Sequence, residues 1–329
     1  MERSAVANLK ISFACGPYDR MEALRDGSVR PEGIDLSYIS IESPRELFDR
    51  MMIHKEFDMS EMSSSETITA FCEGNSPFVA LPVFPSRVFR HGNIYVSVKN
   101  GVKSPKDLEG KRIGVPLWTM TAAIVIKGLL QDDYGVDLSN VTWVQGASDH
   151  LGSHGEERPL PNIPGLKIVA NRPDKTLFQM LEEGEIDAFI GTGRPKNLGQ
   201  GKVALLFPDH VAREKDYFRR TGIHPIMHLV ALRREVYDKN PWVAKSLYKA
   251  FVDSKNRAWA ALHNTGANKS MFPWVYDHVA ETEAIMGKDP WPYGVEANRA
   301  TLTALVRNLR KQGLIHREPS LEEIFVPVE

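Results

Sequence analysis

Cysteine is scarce in this chain: Cys15 and Cys72 are the only two among 329 residues. Their positions match no metal-ligand spacing, and a single pair cannot form the disulfide framework on which small secreted domains depend. We therefore expect two reduced, buried thiols that take no part in the chemistry. A disulfide between them is the alternative.

Neither sign of charge is in excess, because 41 Lys and Arg residues face 42 Asp and Glu residues, for a formal net charge of −1. The chain has no extended basic run, so we expect no nucleic-acid partner. It also has no apolar stretch long enough to span a membrane, and the N-terminal residues lack the apolar core of a secretion signal. The sequence predicts a cytoplasmic protein without a membrane partner.

The sequence also lacks a dinucleotide fingerprint. Residues 191–195, GTGRP, follow a predicted strand, but the Gly-rich spacing that would join this strand to a helix is missing. We expect no nucleotide cofactor. The loop does place Arg194 at the end of a strand, which is a usual position for a ligand-binding cation.

The sequence contains a short internal repeat. The segments LFDRMMIHKEFDMSE and LFQMLEEGEIDAFIG each place a helix before a short strand that carries one aspartate, Asp58 or Asp187. We expect these strands at residues 56–59 and 185–190, with Asp174 capping the second helix. The chain is long enough for two cores, so the pattern predicts a two-lobed α/β protein with ligand loops at the carboxyl ends of its strands.

Two stretches, residues 82–98 and 221–236, share a design in which cationic or titratable side chains precede a predicted buried strand. These side chains are Arg87, Arg90 and His91 in the first stretch, and His224 and His228 in the second. Both stretches look like crossings between lobes, near residues 94–99 and 223–232. They divide the chain into lobe I, residues 1–97 with 229–329, and lobe II, residues 98–228.

Hydroxyl side chains come before two predicted helices: Ser60 and Ser63 in SEMSSS, and Thr119 and Thr121 before the apolar run at 122–130. Helix N-termini attract anions, so these four residues are candidate ligand groups, with simple helix capping as the alternative. Trp291, in the stiff segment DPWPYG, is a candidate to pack against a ring. The alternative for Trp291 is that it fills a domain seam.

Several phrases, spread in order over nearly the whole chain, resemble the 4,5-dihydroxyphthalate decarboxylase family. They are FDMSEMSSSE, ALPVFPSRVFRHGNIYV, TMTAAIVIKGLLQDDYGV, GEIDAFI, TGIHPIMHLVALRREVY, NPWVAKSLYKAF and DPWPYG. The resemblance implies a type II periplasmic-binding-protein-like fold, with a mixed sheet flanked by helices in each lobe and a ligand cleft between the lobes. It implies non-oxidative decarboxylation of a hydroxylated aromatic dicarboxylate in phthalate degradation, most directly 4,5-dihydroxyphthalate to 3,4-dihydroxybenzoate and CO2.

Such a reaction needs cations for the retained carboxylate, a base near the phenol and an acid near the ring carbon. We assign the carboxylate to Arg87 and Arg90 because a guanidinium matches it in a bidentate manner, and expect one of the two to be structural instead. We assign proton transfer to His228 and His91, with Glu61 as the phenol base or orienting partner. The remaining predicted substrate-binding residues are Ser60, Ser63, Thr119, Thr121, Arg194, His224 and Trp291.

Three alternatives stay open. His91, His228 and Glu61 could hold a divalent metal that chelates the catechol oxygens; otherwise no cofactor is required. The protein could instead be a non-catalytic binding protein of the ABC-transporter type for an aromatic or small carboxylate, using the same cations and hydroxyls. A third interpretation is a precursor-synthesis enzyme in which a bound small molecule is consumed. A homo-oligomer is compatible with each of them.

Overall fold

The computed structural model describes residues 7–74 and 76–328, which fall into two compact units. The first unit runs to Arg87, resumes at His228–Leu302 and closes with residues from Pro319; the second comprises Val88–Met227 and Thr303–Glu318. The change of unit at Val88 comes earlier than the expected boundary after residue 97, because the strand at Ile94–Ser97 pairs within the second sheet. Residues 303–318, which we expected in lobe I, belong to the second unit.

The secondary structure alternates strands and helices throughout. The strands are β1 (Leu9–Cys15), β2 (Ile34–Ser40), β3 (Met59–Ser63), β4 (Phe78–Arg87), β5 (Ile94–Ser97), β6 (Arg112–Val115), β7 (Thr142–Gln145), β8 (Lys167–Ala170), β9 (Ala188–Ile190), β10 (Val203–Leu205) and β11 (Ile226–Arg233). The helices are α1 (Glu22–Arg25), α2 (Pro44–His54), α3 (Ser64–Cys72), α4 (Thr121–Asp132), α5 (Leu177–Glu183), α6 (His210–Thr221), α7 (Arg234–Lys239), α8 (Val243–Ala261), α9 (Val275–Met286), α10 (Arg299–Lys311) and α11 (Leu321–Ile324).

The first sheet has the order β2-β1-β3-β11-β4. Strand β1 is parallel to β2 and β3, whereas β11 is antiparallel to β3. The carboxyl ends of β1 and β3 and the beginning of β11 therefore lie at one edge of the sheet, where polar side chains from distant parts of the sequence can meet.

The second sheet repeats this pattern in the order β10-β5-β9-β6-β7-β8. Strand β6 is parallel to β7 and β9, and β5 is antiparallel to β9. The two aspartates of the internal repeat occupy matching positions. Asp58 accepts from the Ser12 amide in β1 at 2.9 Å, and Asp187 accepts from the Arg112 amide in β6 at 2.8 Å. The predicted α/β class with two mixed sheets is confirmed.

Each unit has its own buried residues. In the first, Phe13 packs edge to face against Phe251 of α8, with ring centroids 5.2 Å apart. In the second, Trp118 and Trp143 are fully buried and pack edge to face at 5.3 Å. Across the described part of the chain, no helix is both long and apolar enough to span a bilayer.

Some local predictions were wrong. The strand expected at residues 56–59 is β3, which begins at Met59 and continues through Ser63, because all five of its side chains are buried and it pairs on both sides. The cap of α5 is Thr176, not Asp174: Thr176 accepts from the Gln179 amide, whereas Asp174 pairs with Arg172. The expected reduced and buried state of Cys15 and Cys72 is confirmed.

Candidate active site

Glu61 and His228 lie on one face of the first sheet. His228 is directly opposite Ser63 and Val230 directly opposite Glu61 in the β3–β11 ladder. Residues two apart on a strand share a face, so Glu61 and His228 are diagonal neighbours on that face. The sheet topology thus joins two side chains that are separated by 167 residues in the sequence.

The Glu61 carboxylate is fully buried and meets four donors. Its Oε1 accepts from His228 Nδ1 at 2.5 Å and from the Tyr18 hydroxyl at 2.7 Å. Its Oε2 accepts from the Gly16 amide at 3.0 Å and from Cys15 Sγ at 3.4 Å. This set of donors satisfies the desolvated carboxylate in its ionised form.

The donors also determine the protonation of the site. Burial on its own raises the pKa of the Glu61 carboxyl, but the neighbouring His228 and the hydrogen bonds from His228, Gly16 and Tyr18 outweigh it, so the pKa lies below its ordinary value. The pKa of the Tyr18 hydroxyl is raised, first by burial and then by the charge of Glu61. Tyr18 therefore stays protonated and donates to an anionic Glu61.

This arrangement orients the His228 ring. An ionised carboxylate only accepts hydrogen bonds, so Nδ1 of His228 carries a proton and Nε2 is the ring nitrogen left for a ligand. Among residues 7–74 and 76–328, Glu61 is the hydrogen-bond partner of the His228 ring. The His228 side chain keeps 17% exposure. Phe48 packs edge to face against the imidazole, with ring centroids 4.8 Å apart.

Phe48 is itself anchored by an ion-pair cluster between α2 and α3. The Arg45 guanidinium lies 5.5 Å from the Phe48 ring centroid and pairs with Asp49 at 2.6 Å and with Glu66 at 3.1 Å. All three charged side chains are largely buried. The cluster fixes the helix face on which His228 rests.

The other predicted residues of the first unit have structural contacts. Ser60 donates to the Glu61 carbonyl at 2.8 Å, and Ser63 lies at the start of α3 with its Oγ 3.2 Å from that of Ser65. Arg87 is buried and donates through Nη2 to the Pro292 carbonyl at 2.6 Å and to Asn298, while burial lowers its pKa to about 9. The Trp291 indole donates to the Phe84 carbonyl at 2.8 Å.

Three predicted residues lie near the beginning and end of the second unit. Arg90 is buried, donates to Met227 Sδ at 3.2 Å and to Asn93 at 3.3 Å, and has a pKa lowered to about 10 by burial. His91 is buried as well, and burial followed by the charge of Arg213 lowers its pKa to about 4. The His224 ring stacks on Phe89, with centroids 4.7 Å apart.

The remaining predicted residues belong to loops and a helix start of the second unit. Thr121 is the first residue of α4 and is buried, and Thr119 precedes it in the turn after β6. Arg194 is exposed in the loop that follows β9. Their roles toward a ligand stay predictions.

Gly16 and Tyr18, the backbone and hydroxyl donors to Glu61, were not among the predicted site residues. The available signal was the turn-rich loop at residues 15–20, which follows β1 at the carboxyl edge of the sheet. Cys15, expected to be uninvolved, contacts Glu61 from the end of β1, and burial, followed by the Glu61 charge, raises the pKa of its thiol. It is a buried neighbour of the site and not a nucleophile.

A metal site at Glu61 would require different contacts. Both carboxylate oxygens already accept hydrogen bonds, and a cation bound there would displace His228 or the other donors. Among the described residues, no group of three or more His, Cys, Asp and Glu side chains is arranged to hold a metal ion.

A cavity of about 680 Å³ lies elsewhere in the first unit, beside the beginning of α8. Trp242, Lys245 and Lys249 contribute to its lining, together with backbone and side chains of residues 28–33. None of the predicted site residues lines it, so the cavity does not identify the Glu61–His228 site.

The fold defines the class of protein. Two solved structures align over nearly the whole chain: a putative sulfonate ABC transporter, periplasmic sulfonate-binding protein SsuA from Methylobacillus flagellatus KT, and the periplasmic aliphatic sulphonate binding protein SsuA from Escherichia coli. The first is 14% identical, with a TM-score of 0.54, covering 98% of this chain and 93% of that one. The second is 10% identical, with a TM-score of 0.55, covering 96% and 97%. The chain has the periplasmic-binding-protein fold, with a buried Glu–His pair in its first unit.

Sequence relatives identify the family. A 4,5-dihydroxyphthalate decarboxylase of Comamonas testosteroni is 34% identical over 324 residues, which are 98% of each chain. A protein of the same name from Pseudomonas putida is 39% identical over 64% of this chain and 82% of its own. The NMT1/THI5-like family model matches residues 30–154. The chain belongs to the 4,5-dihydroxyphthalate decarboxylase family.

Proposed function

We propose that this protein is a carboxy-lyase that converts 4,5-dihydroxyphthalate to 3,4-dihydroxybenzoate and CO2 in the degradation of phthalates. The observation that carries the proposal is the Glu61–His228 pair, whose 2.5 Å hydrogen bond leaves one imidazole nitrogen for a ligand. Relatives that bear the name of this activity are 34% and 39% identical. A binding protein needs no such oriented proton donor.

The substrate supplies the electronic driving force. Each carboxylate of 4,5-dihydroxyphthalate has a hydroxyl para to it, and this hydroxyl pushes electron density toward the carbon that bears the carboxylate. Protonation of that carbon forms a C–H bond. The bond to the carboxylate then breaks, its electron pair restores the aromatic ring, and CO2 leaves. One proton is consumed for each CO2 released.

We assign delivery of this proton to Nε2 of His228. The anionic Glu61 holds Nδ1, fixes the orientation of the ring and stabilises the imidazolium that donates. After donation, the neutral imidazole keeps its Nδ1 proton, which stays hydrogen-bonded to Glu61. Its Nε2 then recovers a proton from solvent. His228, Gly16 and Tyr18 all donate to Glu61 and favour its ionised form, so we assign Glu61 the orientation of His228 and not the role of phenol base.

We further propose that the reaction requires no metal, because proton delivery by His228 together with the para hydroxyl accounts for each bond that changes. The substrate is a small aromatic dicarboxylate. The hydroxyls of Ser60, Ser63, Thr119 and Thr121, the cations Arg87, Arg90 and Arg194, and His91, His224 and Trp291 stay predicted site residues. The cytoplasmic location and the homo-oligomer also stay predictions.

The test is incubation of purified, chelator-treated protein with 4,5-dihydroxyphthalate, with CO2 release and 3,4-dihydroxybenzoate followed by chromatography. We expect turnover without added metal and no acceleration by divalent ions. Turnover that appears only after metal is added would contradict direct proton delivery. Tight binding of the substrate without turnover in either condition would favour the binding protein of the ABC-transporter type.

A further inference from the structure

Arg20 has an unusual setting in the first unit. It follows β1 in a short 3-10 turn at Asp19–Met21, and its guanidinium carbon lies 4.2 Å from the ring centroid of Tyr18 and 4.4 Å from that of Trp291. Two aromatic rings thus hold the cation through cation–π contacts. The Arg20 carbonyl accepts from Ser254 of α8 at 2.8 Å, which fixes the backbone as well.

The guanidinium donors of Arg20 are only partly used by the protein. Nε donates to the Pro85 carbonyl at 2.5 Å, and Nη1 donates to Asp19 at 3.0 Å. Asp19 is 66% exposed, so this ion pair is weak. Among the described residues, the hydrogen bonds of the guanidinium use Nε and Nη1 and not Nη2, and the side chain keeps 16% exposure. Arg20 is therefore a rigid cation with hydrogen-bond donors left for a ligand.

Tyr18 connects Arg20 to the Glu61–His228 pair. The ring that stacks on the Arg20 guanidinium carries the hydroxyl that donates to Glu61 Oε1 at 2.7 Å, and the same oxygen accepts from His228. Tyr18 thus contacts both the Arg20 cation and the carboxylate that holds His228.

Arg87 is differently placed. Its Nη2 donates to the Pro292 carbonyl and to Asn298, and the residue is only 5% exposed. Arg87 thus joins the end of β4 to the segment that precedes α10. Of these two arginines of the first unit, Arg20 has the guanidinium that is both held in place and open to a ligand.

We infer that Arg20 binds the carboxylate that the substrate retains, and that Trp291 and Tyr18 hold the guanidinium in position for it. The inference rests on the proposed function for the identity of the substrate. A guanidinium matches a carboxylate with two parallel N–H donors, which a lysine ammonium cannot reproduce. The product, 3,4-dihydroxybenzoate, keeps this carboxylate and therefore uses the same contact.

Two ligands that the enzyme does not decarboxylate test the contact between Arg20 and the retained carboxylate. The first, 3,4-dihydroxybenzoate, carries this carboxylate, and the second, 1,2-dihydroxybenzene, lacks it. We expect Arg20→Met to weaken calorimetric binding of 3,4-dihydroxybenzoate by about 10- to 100-fold and to change binding of 1,2-dihydroxybenzene by less than about twofold. Arg20→Lys should give an intermediate loss. Arg25→Met, which removes an exposed arginine at the end of α1, is the matched control and should bind both ligands as the wild type does.

Several outcomes overturn the inference. Binding of 3,4-dihydroxybenzoate by both Arg20 variants within twofold of wild type would do so, and so would equal loss of both ligands, which indicates a structural role. Thermal unfolding of each variant verifies folding, and Arg20→Lys keeps the cation if Arg20→Met is unstable. Carboxylate-selective loss together with no decarboxylation by the wild type would support Arg20 while refuting the proposed activity.

Discussion

At the scale of the residue, the proposed chemistry depends on one imidazole that a buried carboxylate holds in a fixed orientation. Glu61 is fully buried, and four donors surround it, so its negative charge is stabilised where an isolated carboxylate would be neutral. The same arrangement removes Glu61 from direct contact with a ligand. His228 is the member of the pair that keeps exposure and an available ring nitrogen.

Replacing the imidazole by an amide tests this division of roles. In His228→Gln the proton donor is lost while a polar side chain remains beside Glu61. We expect kcat for 4,5-dihydroxyphthalate to fall by about 10²- to 10⁴-fold, the usual contribution of a positioned acid, with KM changed much less. Steady-state kinetics with chromatographic detection of the product measures both parameters.

His316→Ala, which removes an exposed histidine, is the control for the His228 experiment and should keep wild-type kinetics. A His228→Gln enzyme that retains kcat within a few-fold of wild type would show that the proton comes from another group. A KM increase at unchanged kcat would instead make His228 a binding residue.

At the scale of the element, α2 supports the Glu61–His228 pair through its buried face. Arg45, Asp49 and Glu66 pair between α2 and α3 with little exposure, and Phe48 of the same helix packs on His228. On the other side of α2, Arg50 pairs with Glu46 and Glu56 near the surface. One helix thus carries two arginines that each have two acidic partners and differ mainly in burial.

This contrast gives a matched pair of variants. Arg45→Met removes the cation from two buried carboxylates, which should cost about 3 kcal/mol in the free energy of unfolding and lower kcat through the displaced Phe48 and His228. Arg50→Met removes an exposed ion-pair partner and should leave the free energy of unfolding nearly unchanged, with no effect on kcat. Urea unfolding and kinetics of both variants check the difference, and equal destabilisation would contradict it.

The sequence predicted the strand that carries Glu61 but placed it at residues 56–59, before Glu61. Helix α2 was predictable from Ser43 and Pro44, which mark its start, and Ser43 does accept from the Glu46 amide. Strand β3, MSEMS, has no alternation because every side chain is buried, so periodicity placed the strand too early and left Glu61 in a loop. A buried polar strand becomes interpretable only when its hydrogen-bond partners are known.

At the scale of the whole molecule, the internal repeat was sufficient to predict two α/β units, because a helix before a short Asp-bearing strand recurs in both. The pairing of residues across the chain was not predictable. Glu61 meets His228 across 167 residues, and Arg87 meets Asn298 across 211. Such contacts follow from strand order, and spacing in the sequence carries no information about it. For the same reason, the polar loop at residues 15–20 indicated a place for ligand contacts, but no role could be assigned to Arg20 before its two aromatic neighbours were known.

The response of the molecule to acid follows from groups whose protonation differs between the folded and unfolded chain. His91 is a well-defined case in the second unit. Its ring packs against Tyr134, Phe207 and Tyr217, and its Nδ1 lies 4.0 Å from Glu214. Burial lowers the pKa of His91 from 6.5 to about 4, and the charges of Arg213, Arg220 and His210 act in the same direction, whereas Asp209 opposes them. The folded protein therefore keeps His91 neutral at pH values where the unfolded chain protonates it.

The sign of the effect follows from this difference. Above pH 6.5 both states hold His91 neutral, and as the pH falls toward 4 only the unfolded chain gains the proton, so the free energy of unfolding decreases. We expect a loss of about 2 kcal/mol over this interval, after allowance for solvent screening.

His91→Phe keeps an aromatic ring and removes the titration, so its unfolding free energy should fall less between pH 7 and pH 4.5 than that of the wild type. Urea unfolding at the two pH values measures this difference, with His54→Gln, an exposed position, as the control that keeps the wild-type dependence. Parallel pH dependences of the wild type and His91→Phe would mean that His91 titrates normally in the folded protein, and the buried aromatic environment would then not control its protonation.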